Sequence, residues 1–145
     1  MRGVIRPMAA ADAARAAALA AELGYGGASA PVIAERLAGL AGRADHAVWV
    51  NAEGDDLLGL LHAQHMQRII SDPYVEILHL VVSGRARRAG VGRALVQQVI
   101  GWAAERGVDR VRVRSNVVRD EAHDFYLALG FERLKTQHVY VRSHR

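Results

Sequence analysis

The 145-residue chain contains no cysteine, which excludes a disulfide framework, a thiolate metal site and a cysteine nucleophile. Any catalysis must come from other side chains, the backbone or a bound cofactor. Proline is scarce, at 3 residues, while apolar residues make up 51% and charged ones 23%; this balance excludes a disordered or collagen-like chain and fits one globular domain over 1–145. No apolar run approaches the ~20 residues of a membrane-spanning helix, so no membrane partner is expected. The alanine-rich start is interrupted by Pro7, Asp12, Arg15 and Glu22, which leaves no apolar segment for a signal peptide and points to a cytoplasmic protein. Lysine is almost missing. Of 19 basic residues only Lys135 is not arginine.

The arginines are unevenly placed. Net charge is +4, but residues 85–119 hold nine arginines against Glu105 and Asp109, a local +7 that leaves −3 for the rest. A preference for arginine over lysine accounts for the basic composition and not for the clustering. Such a focus suits a nucleic-acid backbone or a small polyphosphate, since both reward arginine forks and converging N–H groups.

Periodicity gives the order of elements. Val4 and Ile5 start a strand, Asp12 is placed to cap a helix carrying Ala16, Leu19, Ala20 and Leu23, and Gly24 ends it. Ser29 and Pro31 open a second helix with Ile33, Leu37 and Leu40 on its apolar stripe. His46–Asn51 and Leu57–Met66 read as a hairpin, and Val75–Val82 as a central strand covered on both faces. A helix from about Gly92 to Arg106 and a strand around Val111 and Val113 follow, which requires a parallel pairing with the central strand. Asp120 is placed to cap a last helix bearing Ala122, Phe125, Tyr126 and Leu129, and a closing hairpin is expected from Phe131 to Arg142. The fold class is α/β with a mixed sheet, in the order β-α-α-β-β-β-α-β-α-β-β.

Between the central strand and its following helix stands Arg87-Arg88-Ala89-Gly90-Val91-Gly92-Arg93. Unpaired N–H groups at a helix start, with two glycines to let an anion approach the backbone, form an anion site. Tight packing alone would also explain two glycines at such a turn. The segment is neither a Walker loop nor the full GxGxxG dinucleotide pattern.

This stretch resembles motif A of the GNAT superfamily of acyl-CoA-dependent N-acyltransferases, written Gln/Arg-x-x-Gly-x-Gly/Ala, with Arg87, Gly90 and Gly92 in the signature positions. Upstream the strand ending Leu80, Val81, Val82 agrees, and downstream Asn116, Ala122, Tyr126, Gly130 and Phe131 resemble motif B. The likeness covers essentially the whole chain. Gly84 departs from it, standing where the family often has proline after the strand.

The resemblance implies a V-shaped sheet with acyl-CoA between the strand of Leu80 and that of Val111. Amides of the loop from Arg88 to Arg93 would take the pyrophosphate, and the main chain at Leu80 and Val82 would pair with pantetheine. The Leu80 amide would polarise the thioester carbonyl as an oxyanion hole does. Tyr126 is implied as the acid for the departing thiolate, although a tyrosine on an apolar helix face also serves as core. Glu76 matches the glutamate that some relatives use as general base, where others use a water chain. Asn116 is a candidate contact of pantetheine or of an ordered water, and equally a turn residue. His79 and His123 are candidate proton carriers or ordinary hydrogen-bonded histidines. His62 and His65 point to opposite faces of their strand, so no metal is expected.

The function expected from these features is an N-acetyltransferase that uses acetyl-CoA and a primary, cationic amine, without a covalent enzyme intermediate. A catalytically silent acyl-CoA-binding regulator and a nucleic-acid binder built on Arg110, Arg112 and Arg114 are the alternatives. The first two helices and the loop from Gln67 to Tyr74 are expected to shape the acceptor site. A homodimer is expected from the relatives alone.

Overall fold

The computed structural model describes residues 2–114 and 120–144, with the Asp120 side chain outside the description. They fall into two compact units, Met1–Val113 and Arg114–Arg145. The first contains β1 (Val4–Pro7), α1 (Ala13–Glu22), α2 (Ala30–Leu40), β2 (His46–Glu53), β3 (Asp56–Met66), β4 (Tyr74–Val82), α3 (Val91–Glu105) and β5 (Val111–Val113). The second contains α4 (Asp120–Ala128).

The helix boundaries follow from local chemistry, with one correction. Ser29 caps α2 by accepting the Val32 N–H at 3.4 Å, and Pro31 occupies the first turn, where its missing N–H costs no bond. Asp12 was expected to cap α1 and does not. Its carboxylate accepts the Ala9 N–H at 2.8 Å and two bonds from the Arg6 guanidinium, at 2.7 and 2.8 Å. A planar fork on a nearly buried carboxylate outcompetes a single amide, so Asp12 fixes β1 to the turn before α1. The Arg6 bond holds the Asp12 carboxyl below its usual pKa, against the opposing effect of burial.

The sheet has the order β1-β2-β3-β4-β5. The first three pairings are antiparallel, and β4 pairs with β5 in parallel, as a strand-helix-strand crossover requires. One face receives α3 through Val91, Leu95, Val96, Val99 and Ala103, all buried, and Trp102 meets Trp49 of β2 edge-on at 5.7 Å. The other face carries Ala16, Leu19, Val50, Ala52, Leu57 and Val81 as one buried cluster under α1. Each fully buried Leu or Val contributes about 1.5–3 kcal/mol relative to exposure. The β4 apolar run thus has a covering layer on each side.

In the second unit Gly130, at φ +91°, turns the chain out of α4. The Phe131 N–H donates to the Tyr126 carbonyl at 3.0 Å. The Tyr126 ring lies edge-on to Phe125 and Phe131, at 5.1 and 5.5 Å. Residues 131–144 carry no assigned strand, so the closing hairpin expected from Phe131 to Arg142 is not formed among the described residues. Alternating apolar residues supply a strand's side chains, but a strand also needs a ladder partner, and this segment has none there.

Gly59 of β3 sits where α3 comes closest to the sheet. A Cβ there would lie 2.9 Å from Leu95 Cδ1 and 3.0 Å from Val91 Cγ1. Gly59→Ala is expected to lower unfolding free energy by about 1–3 kcal/mol through overpacking, measured by urea denaturation; an unchanged midpoint would mean that α3 yields without cost.

Candidate active site

The site is built on β4, whose two edges differ. Along one edge the whole strand pairs with β3. On the other, only Val75, Glu76 and Ile77 pair with β5, and the Val75 N–H donates to the Arg110 carbonyl at 2.9 Å. Between Ile77 and His79 the register with β3 slips by one residue, which makes Leu78 a bulge. A bulge reverses the phase of the backbone. Ser83 N–H bonds the Leu58 carbonyl on β3 at 2.8 Å, so by alternation Leu80 and Val82 turn their main-chain groups to the opposite edge. Among the described residues no strand covers that edge from Leu78 to Val82.

Beyond Val82 the open edge runs into the loop before α3. Ser83 Oγ donates to Glu22 Oε1 at 3.3 Å and accepts the Arg85 N–H at 3.3 Å, while the Gly84 N–H donates to the same Glu22 oxygen at 3.0 Å. The loop is therefore tied to the end of α1. Arg88 at φ +65° and Gly90 at φ +81° both adopt the left-handed conformation, which costs a non-glycine residue about 1–2 kcal/mol. Their backbone folds into a concave turn at the start of α3, a shape that gathers N–H groups around an anion. Gly90 has no side chain with which to cap the helix. The first-turn amides of Val91, Gly92 and Arg93 thus stay available at the positive end of the helix dipole. Arg87, Arg88 and Arg93 are exposed around the turn, and Ala89 is half-buried within it.

Glu76 is buried in β4, opposite Gln64 of β3 and beside Arg112 of β5. Its strand neighbours Leu80 and Val82 are half-buried, and Val81 packs into the cluster under α1. Tyr126 belongs to the second unit, and Asn116 lies outside the described residues. Two of the three arginines of the nucleic-acid alternative have partners within the fold. Arg112 lies 4.3 Å from the Tyr74 ring centre, and Arg114 donates to Gln137 Oε1 at 3.1 Å.

Three features had no signal in composition or motif: the Leu78 bulge, the Glu22 tie and a row of imidazoles on the α1 side of the sheet. In that row His46 Nδ1 and His62 Nε2 are 2.9 Å apart, and the rings of His62 and His79 stack at 6.4 Å. His65 faces the other way, accepting from Arg106 Nε at 2.9 Å, as its odd spacing from His62 requires. Burial, and then the charges of His46 and His79, lower the His62 pKa to about 4. Among the described residues no group of three His, Asp or Glu is placed to hold a metal ion, and no helix is long and apolar enough to cross a membrane.

Comparison with known proteins identifies the family and the fold. The model of the acetyltransferase (GNAT) family matches residues 12–131. N-acetyltransferase 8B of Rattus norvegicus is 28% identical over 86 residues, which cover 59% of this chain and 39% of that protein. Among solved structures, glucosamine-6-phosphate N-acetyltransferase from Arabidopsis thaliana has a TM-score of 0.84 at 18% identity, over 97% of this chain and 98% of its own. The acetyltransferase AAC(6')-Iy, solved with a CoA bisubstrate analogue, has a TM-score of 0.83 at 19% identity, again over 97% and 98%.

The His62 shift has a consequence for stability. Its folded pKa lies below the unfolded value of 6.5, so its contribution is present above about pH 6.5 and is lost as pH falls through about 4. The melting temperature should drop across that window, and His62→Phe should flatten the drop. Equal slopes in the variant and the parent would place the acid sensitivity elsewhere.

Proposed function

Because the chain belongs to the acetyltransferase (GNAT) family, we propose that it is an N-acetyltransferase that moves an acetyl group from acetyl-CoA directly to a primary amine. The observation that carries this proposal is the open β4 edge from Leu78 to Val82 running into the left-handed Arg88–Gly90 turn. An extended pantetheine arm can pair with such an edge as a strand does. Its pyrophosphate then reaches the amides of Gly90 to Arg93, with Arg87, Arg88 and Arg93 adding charge. A CoA derivative bound to the structurally similar AAC(6')-Iy supports the choice of donor.

In the transfer step the Leu80 amide polarises the thioester carbonyl. The cationic amine first gives one proton to Glu76, buried on the α1 face of β4 and assigned as the group that takes it, which frees the nitrogen lone pair. The lone pair forms the C–N bond and the C–S bond breaks towards sulfur. Tyr126 is assigned as the acid that gives a proton to the thiolate, and the second proton shed by the nitrogen restores the Tyr126 phenol, so one proton is released per turnover. No covalent enzyme intermediate is needed. The acceptor is assigned as a cationic amine drawn by Asp55, Asp56, Asp72 and Glu76, and the whole chain as one such domain working in the cytoplasm.

Acetyl-CoA should raise the melting temperature, since a ligand of the native state stabilises it by mass action. Gly90→Val should remove that rise. Space is not the obstacle, because nothing lies within 4 Å of a Cβ there; the cost comes from the φ of +81° and from apolar bulk placed where phosphate oxygens approach. An undiminished rise in the variant would reject the phosphate turn.

Tyr126→Phe keeps the ring and removes the proton, so it should lower kcat by ~10 to 1,000-fold with little change in the Kd for acetyl-CoA. Equal turnover in Tyr126→Phe and the parent, measured as CoA release with a responsive amine, would reduce Tyr126 to packing between Phe125 and Phe131.

A further inference from the structure

The face of β4 that carries Glu76 continues to Tyr74, and two guanidinium groups meet there on one ring. Tyr74 and Glu76 are two residues apart on the same strand, so their side chains leave the same face about 7 Å from each other. Arg112 of β5 stands beside Glu76 in the parallel ladder, and its guanidinium carbon lies 4.3 Å from the Tyr74 ring centre. Arg68, in the loop between β3 and β4, donates from Nη1 to the Tyr74 hydroxyl at 2.7 Å, with its own guanidinium carbon 5.7 Å from the same ring centre. The ring beneath them is only 3% exposed. Arg112 is half-buried and Arg68 exposed.

Among the described residues no carboxylate serves this pair. Arg2, Arg6, Arg43 and Arg85 each have one within 3.7 Å, whereas neither Arg68 nor Arg112 is in an ion pair there. Contact with a ring occupies the face of a guanidinium and leaves its N–H edge open. Among the described residues Arg112 therefore keeps its whole fork of donors, and Arg68 gives up only the one bonded to Tyr74. Two like charges held on one buried ring repel each other, and an anion between them turns that repulsion into attraction.

We infer that Arg112 and Arg68 bind a carboxylate carried by the acceptor, so that the substrate is an amino acid whose reacting amine is separated from its carboxylate by a short chain. This rests on the transfer reaction proposed above. The order along β4 suits such a molecule, with Leu80 for the thioester, Glu76 for the amine, and Tyr74 with its arginines for the far end. A zwitterion is then held at both ends and in one direction. A plain cationic amine makes only the contact with Glu76, and the two guanidinium groups repel any second positive charge it carries. A phosphate would bring a second negative charge beside Glu76, whereas a carboxylate brings one charge and two coplanar oxygens that match a guanidinium fork. Arg112 and Arg68 act on specificity and touch no reacting atom.

The test gives the full chain acetyl-CoA and the ω-amino acids from β-alanine to 6-aminohexanoate, each beside its own carboxamide, which keeps the amine and the size and loses the negative charge. For at least one pair kcat/KM should favour the acid by ~10-fold or more, chiefly through KM. Arg112→Gln should bring that ratio towards one, as should Arg68→Gln at a loop position outside the core. Arg112→Lys, which keeps the charge and loses the fork, should restore part of it. A residue that only packs on Tyr74 would change acid and carboxamide alike and leave the ratio where it was. Calorimetry with CoA in place of acetyl-CoA, where no transfer occurs, reads the same preference as a ratio of dissociation constants. Ratios near one for every pair, or a parental ratio in both glutamine variants, would overturn the carboxylate site and leave the transferase standing. Phosphoethanolamine outperforming every acid would do the same. A chain that releases CoA with no amine, yet binds an acid more tightly than its carboxamide in an Arg112-dependent way, would overturn the transfer reaction and support the site; with neither turnover nor preference, both fall.

Discussion

The division of β4 between two kinds of neighbour is the constraint on which the rest of the molecule depends. Its full-length antiparallel ladder with β3 anchors it, and its three-residue parallel ladder with β5 stops early. Backbone polar groups inside a sheet need partners. A strand covered on both faces that has, among the described residues, no partner along half of one edge presents a line of backbone donors and acceptors in an otherwise apolar setting. The same strand delivers the chain to α3 at the point where its amides gather. In the proposed reaction, binding and polarisation are main-chain tasks, and they demand little of side-chain identity.

That explains what could be read from the residues and what could not. The hairpin of β2 and β3, the parallel β4–β5 pairing and the limits of α3 follow from periodicity and punctuation, and Gly90 announces a turn that few other residues can make. Two failures are instructive. Asp12 has the right identity and spacing for a cap, but Arg6 arrives from β1 with a fork that a sequence window around α1 does not contain. The bulge at Leu78 has no marker, because its origin is a register imposed by β3 and not any property of leucine. The imidazole row depends on that same register, so His46, His62 and His79 look unrelated along the chain and become neighbours only when three strands align.

The sheet also separates chemical environments. The α3 side is dry and aliphatic around Gly59, Leu95 and Val99, with the aromatic pair Trp49 and Trp102. The α1 side is apolar near Leu19 and Val50 and becomes polar towards Gln64, Glu76 and the histidines. Glu22 links the loop before α3 to α1, since one of its carboxylate oxygens holds Ser83 and Gly84 ahead of the Arg88–Gly90 turn while its backbone belongs to the helix over the apolar cluster. A shift of α1 on one side is thereby felt by the loop on the other.

The order of strands in space matches their order along the chain, and this bears on synthesis. The β2-β3-β4 meander can close while α3 and β5 are still to be made, so the far edge of β4 exists for a time with α3 missing from one face and no parallel neighbour. An apolar strand with a free edge is a template for another copy of itself. Within Tyr74–Val82 only Glu76 and His79 carry strongly polar side chains. Before the fold is complete those two residues act as gatekeepers, interrupting the stretch most prone to pair with a neighbouring nascent chain.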